Sequence, residues 1–490
     1  MRSKKAFFKD FESTPEKTMD KYQHWKAMIS VYMAVLLVMT SCFSSPNEFR
    51  ELQGVVIIVL DTVRFDHLSC YGYGRQTSPN LSILAGKGVL FENAISSAPW
   101  TLPAMVGMFS ADIPSSRNFD NKLKCSMVES LQQAGISTAG ITEGGFVSSH
   151  FGFDLGFDYY VDGDNLDLSQ MNGSNVQTTI PDPEGRIEDT FHKAEEWLAA
   201  HKHENFFLFI HTYEPHAPYT RKTFTRGMTP GAVGETFQTK TLNKLQRGEI
   251  SFNREEIAYL KALYDGGIQK SDTQIGKLIA HLDSLGLSDK TLIVVTSDHG
   301  EELGEHYASF AGDHGHSVFD ELIRVPLIIY NPCNPQSGRR IESQVRLLDL
   351  MPSVLDCLGV QPMYSAMGKS LVPLMSGLET KDRLALGGAT KVGPERIFIR
   401  WLGYKMIRVV NPKPKGMPLK PLPPPVALYD LYADPEETTD ISAQKPEIVN
   451  DMMGFLFQLQ KSGIGGERFS IPEKVDRSVR ERLEALGYIR

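Results

Sequence analysis

The run Gly54-Val-Val-Ile-Ile-Val-Leu60 constrains this chain more than any other feature. A strand with one wet face alternates polar and apolar residues; an unbroken β-branched run reads as a strand covered on both faces, as in a parallel sheet. Parallel neighbours need long crossovers, usually helical. Three later runs share the character, Gly135–Thr142, Phe206–His211 and Thr291–Ser297, and a fifth follows at Val325–Tyr330. Helical stretches lie between them, at Met127–Ala134, Arg186–His201 and Arg254–Leu285. The alternation predicts an α/β fold, a doubly wound, mostly parallel sheet flanked by helices. Ligands of such sheets sit beyond the carboxyl ends of the strands. Asp61, Thr142-Glu143, His211 and Asp298-His299 all fall at that edge.

A chain of 490 residues exceeds one minimal core, so a large domain with a smaller companion is expected. The change of character after about residue 375 puts the catalytic α/β domain at 51–379 and a C-terminal α+β subdomain at 380–490. Within the latter, Ile397–Val410 reads as one or two strands, Asn411–Pro425 as an extended Pro/Lys-rich linker, and the remainder as a helical pair. Two polar stretches, Asp162–Glu184 and Arg221–Asn253, are too long for connectors and read as disordered or substrate-facing loops. Net charge is −8 with no basic block, which excludes nucleic acid as a partner. The five cysteines are scattered and odd in number, which argues against a disulfide scaffold and a thiolate metal site.

Residues 1–50 are set apart from the fold. The apolar stretch Ala27–Met39 follows Lys21 and Lys26 and leads into Met39-Thr40-Ser41-Cys42. It is short of the roughly 20 apolar residues that span a bilayer. A basic flank, a short apolar core and small residues before a cysteine look like a bacterial lipoprotein signal, with a simple membrane anchor as the alternative. The expectation is an exported cell-envelope protein, lipid-anchored at Cys42 and touching membrane only there.

The strand-end residues suit metal chemistry. Asp61 and the Asp298-His299 pair offer oxygen and nitrogen ligands to one divalent cation; the imidazole favours Zn or Mn, with Ca a further option. Read alone, an Asp-His pair after a strand is more simply a turn with Asp298 capping the next helix. In Ala98-Pro-Trp-Thr-Leu-Pro-Ala-Met-Val-Gly-Met-Phe109, Pro103 marks a first helical turn and puts Thr101 at its N-terminus. There Thr101 is either a plain N-cap or a hydroxyl that a metal activates for attack on an ester. His211, His216, His314 and His316 are either surface histidines in turns or imidazoles that donate to ester oxygens and protonate the leaving group.

Taken together the segments resemble the sulfatase family of the alkaline phosphatase superfamily. Asp61-Thr-Val-Arg-Phe-Asp-His-Leu-Ser-Cys-Tyr-Gly72 is similar to its first metal segment, and Thr101-Leu-Pro103 lies where the family has its nucleophile motif. Pro215-His216-Ala-Pro-Tyr219 is similar to its substrate-histidine segment, and Thr296-Ser-Asp-His-Gly-Glu-Glu-Leu-Gly-Glu305 to its second metal segment. His314-Gly-His-Ser-Val-Phe-Asp-Glu-Leu-Ile-Arg-Val-Pro326 resembles the stretch after it, with weaker echoes at Leu348–Ser353, Leu428–Tyr432 and Ala485–Tyr488. The resemblance implies a hydrolase of sulfate or phosphate esters. Its metal would be held by Asp61, Asp298 and His299 with Thr101, and His216 with His314 or His316 would bind oxygens or act as general acid. His211 and Glu143 are read as facing substrate.

One departure redirects the chemistry. The family oxidises a Cys or Ser at the nucleophile position to formylglycine; here it is Thr101, followed by Ala104 and Met105 where a Ser and an Arg are usual. Threonine cannot become that aldehyde, and a threonine sulfate lacks its eliminative exit, whereas a threonine phosphate can still be hydrolysed. Phosphate diesters or phosphonates are therefore favoured, carried on a small molecule, glycan or lipid. The alternatives are a phosphoethanolamine or phosphoglycerol transferase and a non-catalytic carbohydrate-binding relative.

Overall fold

The computed structural model describes residues 52–113, 122–163, 186–333, 338–415 and 422–461. The leader with Cys42, most of Asp162–Glu184 and the second helix of the expected terminal pair fall outside these. The main sheet contains β1 (Gly54–Leu60), β2 (Val89–Ile95), β3 (Ser137–Thr142), β4 (Tyr159–Val161), β5 (Phe206–Thr212), β6 (Thr291–Thr296), β7 (Arg324–Tyr330), β8 (Arg339–Ile341) and β9 (Val345–Arg346). Its strands run in the order β4-β3-β5-β1-β6-β7-β2-β8, with β9 also on β2. All pairings are parallel except those of β7, which is antiparallel to both β6 and β2.

The β1 run shows why the sheet needs two covers. Val55, Ile57 and Val59 pack into one core with the helix Thr101–Ser110, while Val56, Ile58 and Leu60 pack into the other with Arg186–His201 and Arg254–Ser284. Every β1 residue is buried, and truncating one to alanine should cost about 2–5 kcal/mol. The long helix Arg254–Ser284 starts in a capping box, Asn253 accepting from the Glu255 and Glu256 N–H groups while Glu256 accepts from Asn253 N–H. Register then sets the site. Leu60 stands opposite Thr212, and Val59 stands opposite both His211 and Thr296. Asp61, His211 and Asp298 therefore emerge side by side.

A second sheet is antiparallel throughout: β10 (Ala385–Gly388), β11 (Gly393–Trp401), β12 (Tyr404–Lys415) and β13 (Val426–Asp430). One face packs Leu386, Ile399, Met406 and Leu428 against Met452 and Leu456 of the helix Pro446–Lys461. The other packs Phe398, Ile407 and Tyr429 against Phe319, Leu322 and Ile323 of the main unit. Buried Lys405 joins the two layers, its ammonium 2.9 Å from Asp320 Oδ1 and 2.9 Å from Glu437 Oε1. Losing one partner of so buried a pair costs about 3–5 kcal/mol.

One expectation needs correction, and for a second stretch one of two alternatives is removed. Asn411–Pro425 is not wholly a linker, because β12 continues through Asn411 to Lys415. β13 pairs only with Tyr404–Arg408, so beyond Val409 the strand ladders with β11 alone and Pro412 and Pro414 lie on an edge where no N–H is required. Arg221–Asn253 is ordered as well. It contains the helix Thr239–Gln246, seated by buried Leu242 and Leu245.

Candidate active site

Asp61, immediately after β1, and Asp298, just after β6, are fully buried. Asp61 Oδ1 lies 3.6 Å and Asp298 Oδ2 lies 3.5 Å from His299 Nε2; Asp61 Oδ2 lies 3.6 Å from His211 Nε2. These separations are long for hydrogen bonds but close to the roughly 3.4 Å between two donors on one tetrahedral ion. Donor atoms of Asp61, His211 and Asp298 all fall within 4.8 Å of one another. Asp61 Oδ1 and Asp298 Oδ2 are buried without a hydrogen-bond partner among the described residues. Burial drives the Asp61 carboxyl well above the usual range, helped by Asp298 and Glu301, and pushes Asp298 up to about 7. Orphaned carboxylate oxygens beside imidazole nitrogens fit a divalent cation.

Local structure aims each donor. The imidazole of His299 gives its Nδ1 proton to Gly300 O over 2.8 Å, since a carbonyl can only accept, leaving the Nε2 lone pair facing the carboxylates. Burial holds this imidazole neutral, its pKa lowered to about 3. Asp298 Oδ1 accepts from His299 N–H over 2.9 Å and from Thr62 N–H over 3.4 Å. Thr62 sits at φ +64°, a region β-branched residues avoid, and its carbonyl accepts from Tyr264 OH over 2.7 Å.

Thr101 opens the helix Thr101–Ser110, for which Trp100 is the N-cap residue. The hydroxyl does not cap the helix. It donates to Asp61 Oδ2 over 3.3 Å and lies 3.3 Å from His299 Nε2. At the first helical position the dipole and free N–H groups favour an anion beside it.

Two further imidazoles face the cluster. His314 stacks near His299 with ring centroids 4.3 Å apart, and His216 lies 5.1 Å from His314. Burial lowers both, His216 to about 3 and His314 well below its ordinary value. His216 Nδ1 bonds Ala217 O over 2.5 Å and His314 Nδ1 bonds Glu301 Oε1 over 3.0 Å, so each directs Nε2 away from its anchor. Glu301 in turn accepts from Tyr219 OH over 2.6 Å.

The structure thus gathers Asp61, Thr101, His211, His216, Asp298, His299 and His314 at one strand edge. His211, read as a substrate contact, lies with Asp61 and Asp298 in the group whose donor atoms could hold an ion. Two further residues of the expected site are engaged elsewhere in the fold. Glu143 accepts from Thr212 Oγ1 (2.7 Å) and Tyr213 N–H (2.9 Å), so its carboxylate ties the end of β3 to that of β5. His316 stacks on Phe310, centroids 4.5 Å apart, with Nε2 3.7 Å from Glu302. The intervening Gly315, at φ +79°, turns the chain so that the two histidines part. Glu301 was missed, although it lies inside the second metal-like segment. A second group, Glu302, His306 and Glu321, also brings ligand atoms together. There Glu302 accepts from backbone N–H groups of Gly304, Glu305 and Tyr307, and His306 pairs with Glu321.

A helix-flanked, mostly parallel sheet with a buried Asp/His cation site and a hydroxyl at its carboxyl edge defines a metal-dependent ester hydrolase. Residues 53–360 match the family model Sulfatase, and the chain belongs to the sulfatase family. It is 24% identical over 496 residues to arylsulfatase K of Xenopus laevis, the alignment covering 87% of each chain. Its fold is that of the phosphonate monoester hydrolase of Agrobacterium radiobacter, with TM-score 0.63 and 20% identity over 84% of this chain and 95% of that one. A 2-O GAG sulfatase aligns with TM-score 0.64 and 16% identity, over 88% of this chain and 96% of that one.

Proposed function

We propose that the protein hydrolyses a phosphate diester or phosphonate monoester with Thr101 as nucleophile, one Zn or Mn ion being held by Asp61, His211, Asp298 and His299. The observation that carries this is the Thr101 hydroxyl, 3.3 Å from both Asp61 Oδ2 and His299 Nε2. A divalent cation there supplies charge that favours the ionised hydroxyl and polarises the ester. Thr101 Oγ1 bonds to phosphorus as the bond to the leaving oxygen breaks, and the hydroxyl proton departs along its hydrogen bond to Asp61 Oδ2. His216 and His314 are each held by Nδ1, on Ala217 O and Glu301 Oε1. An anionic ester beside them favours their protonated forms, so they donate to ester oxygens and protonate the leaving group. Water then attacks the threonine phosphate and Thr101 departs as the hydroxyl.

Sulfate is disfavoured because a threonine sulfate has no eliminative exit. The test is a panel of aryl sulfate, phosphate monoester, phosphate diester and phosphonate monoester with Zn, Mn and Ca. Diester or phosphonate should turn over fastest. Aryl sulfate as the best substrate, undiminished in a Thr101→Ala variant, overturns the reading. We further propose export with acylation at Cys42, supported by Lys21, Lys26 and the apolar run before Cys42. Cys42→Ala should move the protein out of the membrane fraction, and an unmodified Cys42 in the mature chain by mass spectrometry excludes it.

A further inference from the structure

Thr101 and His314 come from distant parts of the chain, yet both lie against His299. The Thr101 hydroxyl is 3.3 Å from His299 Nε2, and the His314 and His299 ring centroids are 4.3 Å apart. One loop of the small sheet, between β10 and β11, holds the backbone beside each. Gly388, which ends β10, donates its N–H to Ser97 O over 2.9 Å, and Ala389 O accepts from Trp100 Nε1 over 2.6 Å. The turn that leads into Thr101 is therefore held at both its ends. Two residues on, the N–H groups of Lys391 and Val392 both donate to Gly315 O, over 2.6 and 3.1 Å, immediately after His314. A Cβ on Gly387 would lie 2.1 Å from Ser97 O, and one on Gly315 3.1 Å from Lys391 Cβ, so both contacts are close.

The loop is itself stiffened. Ala389 sits at φ +62°, a conformation that a non-glycine residue keeps only where the surroundings over-determine it. Buried Thr390 closes the loop on itself: Oγ1 donates to Pro394 O over 3.0 Å and accepts from Arg396 N–H over 3.1 Å. The Arg396 guanidinium then reaches the histidine segment from the same sheet, donating to Ser317 Oγ and to Tyr307 OH, each over 2.9 Å.

We propose that this loop is a spacer that fixes the separation of the Thr101 hydroxyl from the His314 imidazole, with Thr390 as its positioning residue. The proposal rests on the ester-hydrolase reading, in which Thr101 attacks and His314 meets the leaving group. Both must reach one ester at once, and a misplacement of about 1 Å costs up to roughly a hundredfold in rate.

The experiment uses metal-loaded, full-length Thr390→Val, Thr390→Ser and Ala389→Gly. Valine keeps the shape of Thr390 and removes its hydroxyl; glycine relieves the positive φ and frees the loop without removing a hydrogen bond. With an ester bearing a poor leaving group, kcat should fall roughly 10- to 100-fold in Thr390→Val and Ala389→Gly. The fall should be much smaller with p-nitrophenolate, which departs without protonation. KM and metal content should hold, and Thr390→Ser should recover most of kcat. A residue with only a structural role would lower the melting temperature alone. An unchanged kcat well below that temperature, or a loss equal for both leaving groups, overturns the proposal. If the wild type turns over none of the panel, the ester-hydrolase reading falls, and hydrogen exchange judges the spacer. Faster exchange in Thr390→Val at both 97–102 and 314–318 supports it; a change that misses either segment overturns it.

Discussion

Thr101 donates its hydroxyl proton to Asp61, Oγ1 to Oδ2 over 3.3 Å, across the gap between a helix start and a strand end. The contact is made by the side chain alone, so removing it leaves the helix intact. Thr101→Ala should lower kcat by about a thousandfold or more, positioning and covalent catalysis being lost together, with metal retained. Thr101→Ser should keep a fraction, its rotamer being looser. Comparable kcat in Thr101→Ala would point to water as the nucleophile.

On the proposed reading Asp298 and His299 are both ligands of the cation. Asp298→Ala or His299→Ala should lose both metal and turnover. Elemental analysis after dialysis decides, and full metal content in both variants would refute the ligand assignment.

Glu301 links Tyr219 to His314. Glu301→Gln keeps the shape but turns one of the two oxygens that bond Tyr219 and His314 into a donor, so kcat should fall roughly 10- to 100-fold, part of what acid–base catalysis contributes. Metal content should not change. A kcat equal to wild type across the pH profile would show that His314 needs no such support.

His306 supplies a pH signature away from the metal. Its Nδ1 lies 2.7 Å from Glu321 Oε1, and its ring stacks on Phe319 at 3.6 Å. Burial opposes the imidazolium, but the hydrogen bond and charge of Glu321 outweigh it and raise the pKa from 6.5 to about 9. A folded pKa above the unfolded one stabilises the fold fully below pH 6.5, and the gain fades as pH climbs through about 9. Urea midpoints should decline over that window, and His306→Gln should flatten the decline. Parallel curves for the two proteins would contradict it.

Much of this was legible in the sequence because buried parallel strands are written as apolar runs. Gly54–Leu60 and Phe206–His211 read almost to the residue, and strand-end logic brought Asp61, His211 and Asp298 to one edge. β2 was invisible, since its Val89–Ile95 run is broken by half-buried Glu92 and Asn93. The antiparallel sense of β7 leaves no mark, because both its faces are covered like those of its parallel neighbours. Tertiary partnerships were the hardest to foresee. The bonds of Glu143 to Thr212 and Tyr213 join two strand ends far apart in the chain, and no local motif announces them.

The turned backbone of Thr62 bears on how this centre meets its cation. A non-glycine residue at positive φ costs about 1–3 kcal/mol and persists only where the surroundings over-determine it. Here Tyr264, on the long helix, grips the carbonyl while Asp298 takes the N–H. Two mutually repelling carboxylates are thus brought to a set spacing by helix packing, before any ion arrives. Folding bears the cost of assembling the anionic cage, so the ion meets a preorganised receptor and its binding energy returns as thermal protection of the whole unit.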